Sequence, residues 1–259
     1  MSLFVDMRDA ISTLPKGFRF IFKNGLSVYF VFPVVLSFVF FAFSWWGSSE
    51  FVDYCQDVLG QYWTWDTESW YFQAIGWFLT LSVRFIFVYI FLTINKYLIL
   101  ILLSPVLAFL SEAVEEKVTG KKYPFVLDQF VRDVVRGVLL ACRNFVYEIF
   151  WTLLILIATL FFPPFGILAP FAIFFLQSYF YGFSFMDYFN ERRKISLKQS
   201  IIFTRKKKGY AFVYGGVFSL FFYIPYIGLI IAPIWMEVSA TLGMIRIYKR
   251  KLNVSNEPF

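Results

Sequence analysis

The chain has 259 residues and a formal charge of +7, with 24 Lys and Arg against 17 Asp and Glu and no His. Hydrophobic residues make up 59% of it and charged residues 16%, against about 45–50% and about 25% in ordinary soluble domains. That balance excludes a soluble globule, a disordered chain and a polar nucleic-acid-binding arm, and predicts an all-α integral membrane protein.

Residues 1–23 place Phe4, Met7, Ile11, Leu14, Phe18 and Ile21 at steps of three and four, with Arg8, Ser12, Lys16, Arg19 and Lys23 mostly elsewhere. This pattern predicts an amphipathic helix lying in the headgroup region and broken near Pro15; a helix packed on a neighbour is the alternative. The opening MSLFVDMRDA lacks the order of a cleavable signal, so a retained, cytoplasmic N-terminus is expected.

Residues 24–49 carry no charge and predict the first span, kinked near Pro33. Leu26 to Trp46 as helix measures about 31 Å, matching a hydrocarbon core of about 30 Å. Glu50, Asp53, Asp57, Asp66 and Glu68 follow with no Lys or Arg between Gly47 and Glu68, so positive-inside bias puts this loop outside. Tryptophans 45, 46, 63, 65, 70 and 77 flank it as an aromatic belt. Residues 69–111 carry only Arg84 and Lys96 as charges and predict a second, long span. Cys55 and Cys142 then fall on opposite sides of the bilayer and are expected as free thiols.

A charged turn leads into an amphipathic helix at 121–145, with Asp128 and Arg132 four apart on its polar face. Two further apolar runs share one design, at 146–190 around FFPPFGILAP and at 205–250 around FFYIPYIGLIIAP. Their first arms measure about 21 and 24 Å, short of a crossing, and basic clusters bound both runs at both ends. They predict two re-entrant helical hairpins; kinked full spans are the alternative. The whole, 1–259, reads as a single membrane domain of two long spanning helices, two partly penetrating hairpins and interfacial amphipathic helices.

The segments SPVLAFLSEAVEEKVTG (104–120), YFYGFSFMDYFNERRKIS (179–196) and IPYIGLIIAP followed by SAT (224–233, 239–241) resemble the CysZ-type sulfate permease family. That family shares a domain with an etoposide-induced endoplasmic-reticulum membrane protein of animals. The resemblance implies a bacterial inner-membrane, multi-pass homo-oligomer that admits sulfate for cysteine synthesis. It also implies an anion site at the start of the first span. The family's Gly-Leu-Arg motif there reads Gly25-Leu26-Ser27, and a family Asn after the second tip falls at Gly228.

Without the arginine, an anion is still expected to dock at Asn24, Gly25, Leu26 and Ser27, where a helix start offers free N–H groups, with Lys23 adding a full charge. The alternative is that Asn24 caps the helix and Gly25 permits close packing. Arg84, Glu148 and Glu237 lie in apolar surroundings, where a bare charge is costly, and are candidates for a polar path or for pairing across helices. The basic runs 192–194, 205–208 and 249–251 read as orientation signals near anionic headgroups. With no His, phosphate loop, dinucleotide fingerprint or metal-ligand cluster in the sequence, neither enzymatic activity nor a metal, cofactor or nucleic-acid partner is expected. The expected function is passage of a small inorganic anion, sulfate first; a membrane-shaping scaffold without transport is the alternative.

Overall fold

A computed structural model describes residues 3–39, 101–122, 126–162, 164–224 and 227–255, and single positions 42, 50, 54, 70 and 77. Arg84, Cys55, all but two positions of the acidic loop and the greater part of the 69–111 span lie outside the described residues. So does the far end of the 24–49 span, with Trp45 and Trp46. Among the described residues there is helix and no strand. The chain groups into two compact units, Met1–Val34 with Leu100–Phe259, and Val35–Ile99.

Helices α1 (Leu3–Ile11) and α2 (Leu14–Lys23) meet at Ser12-Thr13, and Pro15 sits in the first turn of α2, where its missing N–H costs nothing. The break expected near Pro15 is therefore present. Helix α3 (Leu26–Val39) opens as a 3-10 turn over Leu26–Phe30 and departs from the first pair at 102°. Helix α4 covers 101–119. Then come α5 (Leu127–Phe161), α6 (Phe165–Arg192), α7 (Leu197–Lys206), α8 (Lys208–Phe222) and α9 (Ile227–Ser255).

Among the described residues three helices are long and apolar enough to cross a bilayer, Leu127–Thr159, Phe165–Arg192 and Gly228–Arg250; Leu3–Lys23 with Leu26–Val39 makes a bent pair that counts as a fourth only if both form one broken span. At the first proline-rich stretch α5 ends at Phe161 and α6 begins at Phe165, and at the second α8 ends at Phe222 and α9 begins at Ile227. Pro170 and Pro233 are accommodated inside α6 and α9. The boundary expected at 145/146 falls inside α5, a single helix of 35 residues, about 52 Å long. Arg136, Asn144 and Glu148, at steps of eight and four residues, fall on one face of the helix, which runs on through the change of composition that suggests a break.

The core of the first unit lies where α6 crosses α8. Small residues four apart on each helix, Ser178 and Gly182 against Ala211 and Gly215, bring the backbones together: a Cβ on Gly182 would stand 1.8 Å from the Ala211 carbonyl oxygen, and one on Gly215 1.7 Å from that of Ser178. Apolar membrane helices have little hydrophobic drive to associate, so close backbone approach of this kind supplies the dispersion energy instead. Around the crossing, Tyr181 and Phe185 meet Phe218 edge-on at 5.2 and 5.3 Å between ring centres. Leu103, Leu107 and Leu110 of α4 and Ile234, Met236 and Val238 of α9 are buried as well.

The N-terminal pair packs on the second hairpin. Asp6, Ala10, Thr13, Gly17 and Ile21 form its buried face. Gly17 lies so close to Ser239 that a Cβ would clash with its Oγ, and the Trp235 indole N–H donates to the Leu14 carbonyl at 2.8 Å. Lys207 pairs with Asp6 at 2.9 Å, and Arg250 and Tyr210 both donate to Asp9. Burial opposes the charge on Asp9, but these hydrogen bonds and the charges of Arg250 and Arg246 outweigh it and hold the carboxyl below its usual value. A depressed acid contributes stability that is present above the unfolded value, about 3.8, and is lost as pH falls through the still lower folded value. Proteolytic release of α1 should therefore rise below about pH 4 in the wild type. Asp9→Asn should show part of that release at neutral pH, with a loss of about 1 kcal/mol or less given the partly exposed pair.

Candidate functional site

Lys23 ends α2 with its side chain exposed. Asn24 follows, and its side-chain amide donates to the Phe20 carbonyl at 2.9 Å while its backbone N–H donates to the same oxygen at 3.1 Å. Asn24 therefore closes α2, and the alternative that it caps the start of the next helix does not hold. An Asn-Gly step between two helices suits either end, and here the side chain turns back. Gly25 occupies the left-handed region with φ of 68° and is the N-cap of the Leu26–Phe30 turn, which receives no side-chain cap. Nothing lies within 4 Å of where its Cβ would be, so the glycine is needed for its backbone angle and not for close packing.

At the bend the Leu26–Phe30 turn has no side-chain cap, Lys23 and Ser27 are exposed, and Leu26 is buried at 4% exposure. The carbonyl end of α2 lies at the same bend and carries a negative partial charge.

Glu148 and Glu237 occupy two different interfaces. Glu148 is 4% exposed and accepts from Gln177 Nε2 at 2.9 Å, at one end of a polar seam between α5 and α6. Further along the seam, Asn144 donates to Ser184 Oγ at 3.1 Å, and Arg136 grips Asp187 with two N–H groups at 2.8 and 3.1 Å while giving a third to the Ile195 carbonyl at 2.6 Å. Ser200 also donates to Asp187, and Asn190 to Ser200 at 2.9 Å, so α7 is tied to the same end. Glu237 is fully buried on α9 and accepts from Thr241 at 3.0 Å; Thr241 and Ser111 of α4 are bonded at 2.6 Å. Its second oxygen has no hydrogen-bond partner among the described residues. Arg84, the expected counter-charge, lies outside the described residues.

Next to this lies an ion cluster that the composition of the chain hides. Arg192 Nη2 meets Glu115 Oε2 at 3.1 Å and Arg193 Nη2 meets Oε1 at 2.6 Å, with Arg192 and Glu115 side chains 3% and 2% exposed. These two arginines are not headgroup anchors, contrary to the expectation for the run 192–194. The signal that would have found them is an acid in an apolar helix, Glu115 in SEAVEE, together with an Arg pair at the end of another. Lys194 alone of the run is exposed, and at φ 54° it ends α6 in the glycine-favoured conformation, with Ile195 N–H bonded to Asn190 and Lys194 N–H to Glu191. Lys194→Gly should therefore stabilise the protein by about 0.5–1 kcal/mol, read as a higher midpoint of thermal unfolding.

Among the described residues no group of three or more His, Cys, Asp or Glu is placed to hold a metal ion. Cys142 is a free, exposed thiol on α5. Taken together, the described residues show an exposed bend at Lys23–Ser27 and a buried polar interior whose groups are largely paired.

The family model described as Sulfate transporter CysZ/Etoposide-induced protein 2.4 matches residues 13–233. Sulfate transporter CysZ of Pectobacterium atrosepticum is 23% identical to this chain over 232 residues, covering 88% of the chain and 81% of that protein.

Proposed function

Because the chain belongs to the Sulfate transporter CysZ/Etoposide-induced protein 2.4 family, we propose that it is a membrane permease for a small inorganic anion, with sulfate as its substrate. The observation that carries this reading is the match over residues 13–233, which takes in the Lys23–Ser27 bend, the whole of Leu127–Thr159 and Phe165–Arg192, and the first turns of Gly228–Arg250. The reading extends to a multi-pass protein of a bacterial inner membrane, assembled from several copies of the chain and feeding sulfate to cysteine synthesis. It assigns no catalytic step and no cofactor. With no ATP-binding motif in the sequence, movement is passive or coupled to an ion gradient.

In this proposal the anion is met first at Lys23, Asn24, Gly25, Leu26 and Ser27, where a helix start without a side-chain cap lies beside an exposed lysine. α8, at 15 residues, measures about 22 Å, short of the hydrocarbon core, which favours a second hairpin that enters the membrane only part-way.

Purified protein in sealed liposomes should take up labelled sulfate faster than empty liposomes, with sulfite competing better than chloride. Uptake equal to that of empty liposomes overturns the proposal. Lys23→Ala should weaken the apparent sulfate affinity about tenfold, the scale of one charge-assisted contact, and Ser27→Arg should strengthen it. If both variants match the wild type, the bend is not the anion site. The serine in the arginine's place favours one second reading, a membrane-shaping scaffold. It would show as altered liposome shape without flux.

A further inference from the structure

We propose that the outer face of α1 and α2 is a docking surface for anionic phospholipid headgroups. The charges of this pair are sorted by side. Its acids, Asp6 and Asp9, turn inward onto Lys207, Tyr210 and Arg250, and are neutralised there. Its bases Arg8, Lys16 and Arg19 are exposed. The outward field is therefore that of cations alone.

The apolar residues of the same face are also uncovered. Phe4 is 78% exposed and Ile11 52%, seven residues or two turns apart on α1, and Phe18 on α2 is 40% exposed, with Trp235 meeting its ring edge-on. A stripe of this kind in water loses the energy that burial would supply, and lipid restores it. Beyond Lys23 the chain turns by 102° into the apolar helix Leu26–Val39. A near-right angle between an amphipathic pair and an apolar helix is the geometry of one element lying in the membrane plane and the next entering it. The occupant that satisfies apolar insertion and a row of cations together is the boundary of a bilayer bearing anionic phosphates. The inference stands on these contacts and holds whether or not the chain conducts sulfate.

The test uses full-length protein in non-ionic detergent, with phosphatidylglycerol and phosphatidylcholine in equal amounts, and counts retained lipids by native mass spectrometry. Wild type should retain phosphatidylglycerol in preference. Arg8→Gln, Lys16→Gln and Arg19→Gln should each cut that preference about 5-fold, and the triple variant about 100-fold. A control triple, Lys117→Gln, Lys122→Gln and Lys194→Gln, should leave it unchanged. Phe4→Ser with Ile11→Ser should weaken retention of both lipids alike. The proposal falls if the first triple variant keeps the wild-type preference or if the control loses as much. It also falls if inorganic phosphate displaces phosphatidylglycerol at equal concentration, which would mark a site for free oxyanions.

Discussion

Gly182→Ala and Gly215→Ala should each abolish or severely reduce the yield of folded protein. The Cβ of either alanine would fall within 2 Å of a backbone carbonyl oxygen on the facing helix, and backbone cannot move aside as a side chain does. Ordinary overpacking costs about 1–3 kcal/mol, and a clash of backbone with backbone exceeds it, so a loss above about 3 kcal/mol is expected. For a chain of this size that corresponds to a fall of roughly 10 °C in the unfolding midpoint, read by size-exclusion after heating in detergent. Gly166→Ala, on the same α6 but with nothing within 4 Å of the new atom, should leave the midpoint unchanged or raise it slightly. Equal behaviour of all three variants would refute the crossing.

Glu115→Ala should cost about 3–5 kcal/mol, because it leaves Arg192, at 3% side-chain exposure, as a buried charge without its carboxylate. Arg193 is 27% exposed and can turn to water once the carboxylate is gone. The double variant Glu115→Leu with Arg192→Met removes both buried charges and should recover more than half of the loss. The measurement is again the unfolding midpoint, and a double variant as unstable as Glu115→Ala would show that packing at this point, and not the charge, sets the cost.

The helical, apolar character of the chain and the break beside Pro15 are legible from residues alone, since proline and runs of uncharged side chains act locally. Family membership is legible too, in the segments at 104–120, 179–196 and 224–241. The continuity of α5 is hidden by a change from charged to apolar sequence at Arg143 to Ile149, although one helical face persists through it. The paired interior is hidden for a different reason. Arg136 with Asp187, Arg192 with Glu115 and Ser111 with Thr241 are separated by 51, 77 and 130 positions, and no local pattern reports such partners. Arg192 looks like a surface cation because two basic neighbours accompany it. Asn24 stands between two helix ends and its side chain suits either; the Phe20 carbonyl, four residues back, takes its amide and decides for α2.

The joint between α6 and α8 also bears on how the chain is made. Position 182 leaves the ribosome about 30 residues ahead of the segment that fills its notch, a wait of a few seconds at ordinary synthesis rates. During that interval the insertion machinery or a chaperone must shelter a helix whose mate does not yet exist. A product truncated near residue 207 would carry the notch permanently open, and should be cleared by membrane quality-control proteases while the complete chain survives.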